Sequence, residues 1–280
     1  MKLTLKIVIE RYFARRNLAL IDAKLYEKIF GAAMPKHVAT FLNEIPAESI
    51  GCAIGLINKS RSQILQDVFV LLHSNFKIGG YFVEFGATNG VDLSNTFLLE
   101  KEFKWNGILA EPSRRWHADL AKNRNCNIET DCVWRASNVK LPFRETDAGE
   151  LSTIASYSDS DGHSLTRQSG LEYPVTTISL ADMLRKHGAP KKIDYLSIDT
   201  EGSEFDILEA FNFEEFEFGL ITCEHNYTPQ REKIHKLLTS NGYVRTWENV
   251  SRFDDWYVRA DNLLIAPLKA SHHEIPRNST

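Results

Sequence analysis

Cysteine is scarce in this sequence: four in 280 residues, at Cys52, Cys126, Cys132 and Cys223. No pair has C-x-x-C spacing and no nearby histidine completes a zinc pattern, which sets aside a disulfide scaffold and a structural zinc site. Sparse, unpatterned cysteine fits a reducing compartment, and the expected location is cytoplasmic. No stretch approaches the roughly 20 apolar residues that a membrane helix needs. The first residues, Met1 to Arg11, are apolar but interrupted by Lys6 and stopped by Glu10. That run is too short for a signal-peptide core and lacks a small-residue cleavage site. With Arg11, Arg15 and Arg16 at its end, it can still lie peripherally on a membrane surface or a partner; a docked helix is the plainer reading. Positive charge is not in excess either. A net charge of −4 argues against nucleic acid as the main partner, because phosphate contact needs a basic face. Internal repeats and low-complexity segments are absent.

What is present is an ordinary soluble composition, 43% hydrophobic and 25% charged. The length suits one large α/β domain with an extension, or two small domains. Residues 1–60 read as helical with irregular links, punctuated by Pro35 and Pro46 and loosened by Gly51 and Gly55. Ser62 has the chemistry of an N-cap. Ile64, Leu65, Val68, Phe69, Leu71 and Leu72 then form a helical apolar stripe ending near Asn75. From Gly80 onward strands and helices alternate. Strands are expected at 81–86, 107–111, 127–133, 193–199, 218–224, 243–248 and 257–265. Helices are expected near 93–104, 113–123, 179–188, 203–211 and 229–241. Such alternation implies a mostly parallel sheet with helices on both faces. The short link from Asn249 to Trp256 makes the last two strands an antiparallel hairpin. Residues 137–175 break the rhythm with Ser, Asp, Thr and Gly. They read as an excursion between the third and fourth strands, either a lid or binding loop or a solvated insertion.

The most informative segment is Tyr81-Phe82-Val83-Glu84-Phe85-Gly86-Ala87-Thr88-Asn89-Gly90. An apolar strand ends on an acid, a glycine turn follows, and helix-forming sequence runs from Ser94 to Phe103. The next short apolar run, Gly107 to Ala110, also ends on a carboxylate, Glu111. Strand, glycine turn, helix, strand, acid is how an α/β sheet holds a nucleoside-bearing cofactor, the second acid accepting both ribose hydroxyls. The dinucleotide fingerprint G-x-G-x-x-G is not met, and no basic residue lies between Tyr81 and Glu100. Glu84 would repel a phosphate and attract a cation. S-adenosylmethionine (SAM) carries an amino group, a sulfonium and no phosphate, so this turn suits it better than NAD. A plain βα turn without a ligand is the alternative.

A second acidic group closes the strand at 193–199: Asp199, Glu201 and Glu204. Asp199 falls at the carboxyl end beside the first strand, where open sheets place ligands. Glu201 and Glu204 also gain from the dipole of the helix that Ser203 can cap. The following strand ends in Glu224-His225-Asn226. Carboxylates on neighbouring strand ends can share one rim, a sensible place for a general base, and His225 has a suitable intrinsic pKa if Glu224 or Asp199 orients it. A merely solvated His225 is the blander alternative. The same carboxylates could hold Mg²⁺ or Ca²⁺, although no calcium-loop spacing supports this.

These residues resemble those of the FkbM-type SAM-dependent methyltransferases over about residues 62–266. The resemblance rests on Val83 to Gly90, Glu111-Pro112, Ile198-Asp199-Thr200-Glu201-Gly202-Ser203-Glu204 and Glu224-His225-Asn226, with a lead-in at Ser62-Gln63-x-x-Gln66-Asp67. It implies a class I, Rossmann-like fold: a mostly parallel seven-stranded sheet with a C-terminal antiparallel strand. The implied domains are a helical extension at 1–60, the methyltransferase domain at 61–268 and a tail at 269–280. By matching position, Glu84, Gly86, Ala87 and Gly90 would cradle the methionine portion of SAM and Glu111 would hold the ribose. Asp131, Cys132 and Val133 would flank the adenine, and Gln63, Asp67 and Asn95 join the cofactor set. Asp199 would face the methionine amino group or the acceptor. Asp199, Glu201, Glu224 and His225 form the expected catalytic set. The implied reaction is O-methylation of a sugar in a polysaccharide, glycan or natural product. A small-molecule hydroxyl, amine or carboxylate, or a non-catalytic assembly role, are the alternatives. Tyr157, Tyr173, Tyr227, Trp247, Trp256 and Tyr257 lie near expected sheet ends and offer faces for a sugar ring, core packing being the plainer reading. The extension can serve homodimer formation, acceptor binding or docking on a complex.

Overall fold

The structure is a computed structural model that describes residues 35–159 and 161–262. Expectations for residues 1–34 and for everything past 262 lie outside the described residues. The strands are β1 Tyr81–Phe85, β2 Asn106–Ala110, β3 Asn127–Glu129, β4 Cys132–Trp134, β5 Lys140–Glu145, β6 Thr153–Ile154, β7 Leu171–Ser179, β8 Lys192–Ile198, β9 Glu217–Glu224, β10 Tyr243–Thr246 and β11 Asp254–Arg259. The helices are α1 Lys36–Glu44, α2 Ile50–Ile57, α3 Gln66–His73, α4 Phe97–Phe103, α5 His117–Asn123, α6 Ser164–Arg167, α7 Leu180–Lys186, α8 Glu204–Glu209, α9 Gln230–Ser240 and α10 Glu248–Ser251.

Seven strands form one sheet in the order β10-β11-β9-β8-β1-β2-β3. Its centre is parallel, and β11 runs antiparallel to both β9 and β10. The central strands are mostly apolar because both faces are covered. Phe82, Leu109, Tyr195 and Leu220 enter one core with α3, α4 and the preceding helices α1 and α2. Val83, Ile108, Leu196 and Ile221 enter the other, under α7, α8 and α9. Successive side chains on one strand thus belong to opposite cores, as the period-two pleat requires. The described part of the N-terminal extension shares the first core: Phe41 and Ile54 are buried, and Phe41 meets Trp247 edge-on at 5.4 Å.

Two expected elements differ most from the sequence reading, and the strand expected at 257–265 runs from Asp254 to Arg259 instead. The strand expected at 127–133 is two strands in different sheets. Glu129 separates them, its Oε1 accepting from the amides of Thr130 and Asp131 at 3.0 and 3.1 Å, so the chain turns instead of continuing the ladder. The excursion at 137–175 is not a loop. It contributes β5, β6 and most of β7 to a second sheet ordered β4-β7-β5-β6, with a small core of Cys132, Trp134, Phe143, Ile154 and Val175. Pro142 and Pro174 disguised it, since proline inside a run argues against a strand. They lie directly opposite each other. Neither has an N–H to give, so theirs is a non-hydrogen-bonded pair, and the ladder tolerates both.

Candidate active site

The carboxyl ends of β1, β2, β8 and β9 open onto a cleft of about 500 Å³. It sits where chain order reverses around β1, the place where open α/β sheets bind ligands. The second sheet roofs it through residues 149–154, and His163 reaches its wall. Among the described residues, six with carboxylates line the cleft, and neither lysine nor arginine does. Such a lining repels a diphosphate and favours a cation.

The glycine turn is shaped by protein packing as much as by ligand access. Gly86 has φ +70°, and a Cβ there would lie 2.2 Å from the backbone oxygen of Asp199. Gly90, at φ +78°, packs against Leu120 and Arg124 and does not line the cleft. Ala87 is buried in the first core and also lies off the cleft. Gly86→Ala should therefore destabilise the fold by roughly 2–4 kcal/mol through a clash and a left-handed backbone. The check is a lower urea midpoint at unchanged slope.

Glu84 and Glu111 have different tasks. Glu84 borders the cleft, but its carboxylate is engaged internally. Oε1 accepts from the Asn95 amide at 2.6 Å, and Oε2 accepts from the hydroxyls of Ser94 and Thr96. Arg124, fully buried, stands 3.9 Å away and clamps the same loop through Gly90 O, Ser94, Thr96 and Glu100. Sequence reading found no cation within the turn; the fold imports one from the end of α5. This clamp leaves Asn95 on the cleft, its Nδ2 donating to Ser197 and its buried Oδ1 without a partner. Glu111 accepts from the amides of Thr88 and Ser113, both at 2.8 Å, which aims its carboxylate along the cleft wall. Burial pushes Glu111 up to about 7, against the pull of those two amides.

One oxygen from each of Asp199, Glu201 and Glu224 lies within 4.8 Å of the others. Asp199 is pushed up to about 7 by burial and hydrogen-bonds Glu224. Burial and the Asp199 charge hold Glu224 well above the usual carboxylate range. Glu201, left-handed at φ 59°, pairs with the fully buried Arg167 at 2.6 Å. Arg167 also takes Asp161 in a fork at 2.7 and 3.0 Å and donates to Leu151 O, fastening the roof to the acidic floor. Glu204 accepts from the backbone of Thr200 and Gly202 and shapes the turn. Oxygen donors of this kind also suit Mg²⁺.

Of the remaining expected residues, Gln63, Cys132 and Val133 line the cleft, and Asp67, Asp131 and His225 do not. Asp67 is buried, accepting from Ser60 and the Val68 amide. Asp131 sits at the Glu129 turn. His225 corrects the expected base: its Nδ1 accepts from the Tyr227 amide at 2.9 Å, and its Nε2 faces Asp255 at 3.7 Å. His225 directly follows β9, and its ring faces Asp255 and Tyr227 instead of the cleft that Glu224 lines.

Buried carboxyls of raised pKa imply a pH signature. Glu111, Asp199 and Asp254 stand at about 7 and Asp67 at about 6. An acid raised on folding stabilises while protonated. Its contribution is complete below the unfolded value near 4 and is lost as pH climbs through the folded one. The ligand-free protein should thus melt lower at pH 8 than at about pH 5 by scanning fluorimetry. Carboxylates held low, such as Glu100 and Asp161, lose their stabilisation only at more acid pH.

A parallel sheet finished by an antiparallel strand, with an acidic, phosphate-excluding cleft at its switch point, defines a class I methyltransferase. A family model described as the methyltransferase FkbM domain matches residues 84–248. The chain belongs to the FkbM methyltransferase family and is a SAM-dependent methyltransferase. Solved structures it is similar to include FkbM from Methylobacillus flagellatus KT, at 11% identity and TM-score 0.43, covering 91% of this chain and 60% of that one. Precorrin-6y C5,15-methyltransferase from Geobacter metallireducens GS-15 aligns at 8% identity and TM-score 0.37, covering 69% of this chain and 85% of that one. The CurJ carbon methyltransferase aligns at 10% identity and TM-score 0.37, covering 92% and 70% respectively. No curated protein matches the chain. Among the described residues no helix is long and apolar enough to cross a membrane.

Proposed function

We propose that this methyltransferase acts on a hydroxyl of a carbohydrate. The observation that carries this reading is the Asp199–Glu224 carboxyl pair, which faces the same cleft as Glu111 and has Asp199 poised at about 7. A sugar hydroxyl is a poor nucleophile at neutral pH and needs a base whose pKa lies near the working pH. A carboxylate raised by burial meets that need. A carboxylate acceptor is already ionised at that pH and calls for no such group.

The cleft fits SAM in its acceptors. Glu111 would take the ribose diol, and the unpartnered Oδ1 of Asn95 would accept from the methionine ammonium. Cys132 and Val133, with Phe143 and Ile154 beside them, would form the adenine wall. SAM, when bound, supplies an electrophilic methyl on a positively charged sulfur. Asp199 then removes the hydroxyl proton as carbon–oxygen bonding develops. Glu224 holds Asp199 through their hydrogen bond, and Arg167 keeps Glu201 from adding a second free charge. Mg²⁺ on the same carboxylates would be the competing way to activate the hydroxyl.

The test is incubation of purified protein with SAM and a panel of sugars, amines and carboxylic acids, read by mass spectrometry. Methylation of a sugar oxygen supports the reading. Methylation confined to nitrogen or carboxylate acceptors overturns it. Loss of turnover with EDTA, restored by Mg²⁺, would move the base role to a metal.

A further inference from the structure

Of the six aromatic residues that sequence reading placed near the sheet ends, five are committed elsewhere. Trp256 and Tyr257 are fully buried, and Trp247 packs against Phe41 and Phe69. The hydroxyls of Tyr157 and Tyr173 are bonded to Asp206 and Glu145. The sixth, Tyr227, is 69% exposed, and among the described residues it is the aromatic side chain left open to solvent to this extent.

Its placement is built, not incidental. Tyr227 directly follows Asn226, which lines the cleft, and comes three positions after Glu224, one of the paired acids; Tyr227 itself stands outside the lining. Asn226 and Tyr227 both hold left-handed backbone, at φ 44° and 57°. Asparagine tolerates that region, but a tyrosine there needs support from its surroundings. Buried His225 supplies it. Its Nδ1 accepts the Tyr227 amide, its carbonyl accepts from the Thr228 amide at 2.8 Å, and its ring meets the tyrosine ring edge-on at 5.3 Å. The amides of His225 and Asn226 both donate to Phe253 O, which ties the turn to the loop before β11. Accepting at Nδ1 puts the neutral ring's proton on Nε2, toward Asp255. The imidazole thus acts on the turn and not on the chemistry.

We propose that the Asn226–Tyr227 turn is the acceptor subsite. Tyr227 is a stacking platform for the apolar face of a pyranose ring, Asn226 a hydrogen-bonding group for a ring hydroxyl, and His225 a positioning residue for both. The inference rests on the carbohydrate reading above and adds which residues select the sugar.

The experiment uses the full chain saturated with S-adenosylhomocysteine and a panel of methyl hexopyranosides, followed by saturation-transfer NMR and titration. Wild type should bind at least one panel sugar with strong transfer to its ring C–H protons. Tyr227→Ala should weaken that binding about ten-fold or more, and Tyr227→Trp should retain it. Affinity for S-adenosylhomocysteine should be unchanged in both. His225→Leu should lose sugar affinity in the same way. His225→Asn, whose amide oxygen can replace Nδ1 as acceptor, should restore it. Sugar binding that is equal in wild type and Tyr227→Ala overturns this proposal and leaves the carbohydrate reading standing. Wild type that binds S-adenosylhomocysteine but no panel sugar overturns both.

Discussion

Glu111→Ala is expected to weaken binding of SAM and of S-adenosylhomocysteine roughly 10²–10⁴-fold, the loss of two hydrogen bonds to a charged acceptor at about 1.5–3 kcal/mol each. The side chain closes β2, is buried, and borders the cleft on the wall next to the glycine turn. Two backbone amides already hold its oxygens, so it enters binding without paying to be ordered. Alanine would also strand the amides of Thr88 and Ser113, so part of the loss would come from the turn. Glu111→Gln separates the two contributions. It keeps the shape and one acceptor oxygen, and should cost closer to ten-fold. The ionised form is the acceptor, so affinity should rise with pH through the value near 7 where burial has placed this carboxyl. Calorimetry with S-adenosylhomocysteine on both sides of that pH reads the effect. Unchanged affinity in Glu111→Ala would remove the ribose role.

The second large effect is expected at Asp199. Asp199→Asn keeps the size of the side chain and can still bond Glu224, but it cannot take a proton. Removing a positioned base should lower kcat by about 10²–10⁴-fold. The rate of the wild-type protein should rise with pH through an apparent value near 7, and that limb should vanish in the variant. A bound sulfonium would favour the ionised form of the pair, so in the cofactor complex the limb should move to lower pH. Cofactor affinity decides between the two places that sequence reading left open for Asp199. A base facing the acceptor leaves affinity for S-adenosylhomocysteine nearly intact in Asp199→Asn. A partner of the methionine ammonium loses it.

Glu111, Asp199 and Glu224 were legible in the sequence for one physical reason. Each terminates a run of apolar residues buried on both faces, and a carboxylate at the end of such a run has to emerge at the sheet edge. The mixed α/β class of the fold followed from the same alternation. What escaped was set by contacts distant in sequence. Arg124 and Arg167 are buried cations with partners up to 40 positions away, and a lone arginine in a helix carries no sign of that. The second sheet was hidden by its prolines and by a composition that elsewhere marks loops. Its alternation was nonetheless readable at Leu141 and Phe143 and at Tyr173, Val175 and Thr177. His225 was misread because residue type suggested a proton carrier. Residue type does not give direction, and one position past the end of β9 the ring faces Asp255 instead of the cleft.

Arg167 ties the fate of roof and floor together. The roof segment and a floor acid share one buried counter-charge, so any substitution that displaces the segment also strips Glu201 of its neutraliser in a dry setting.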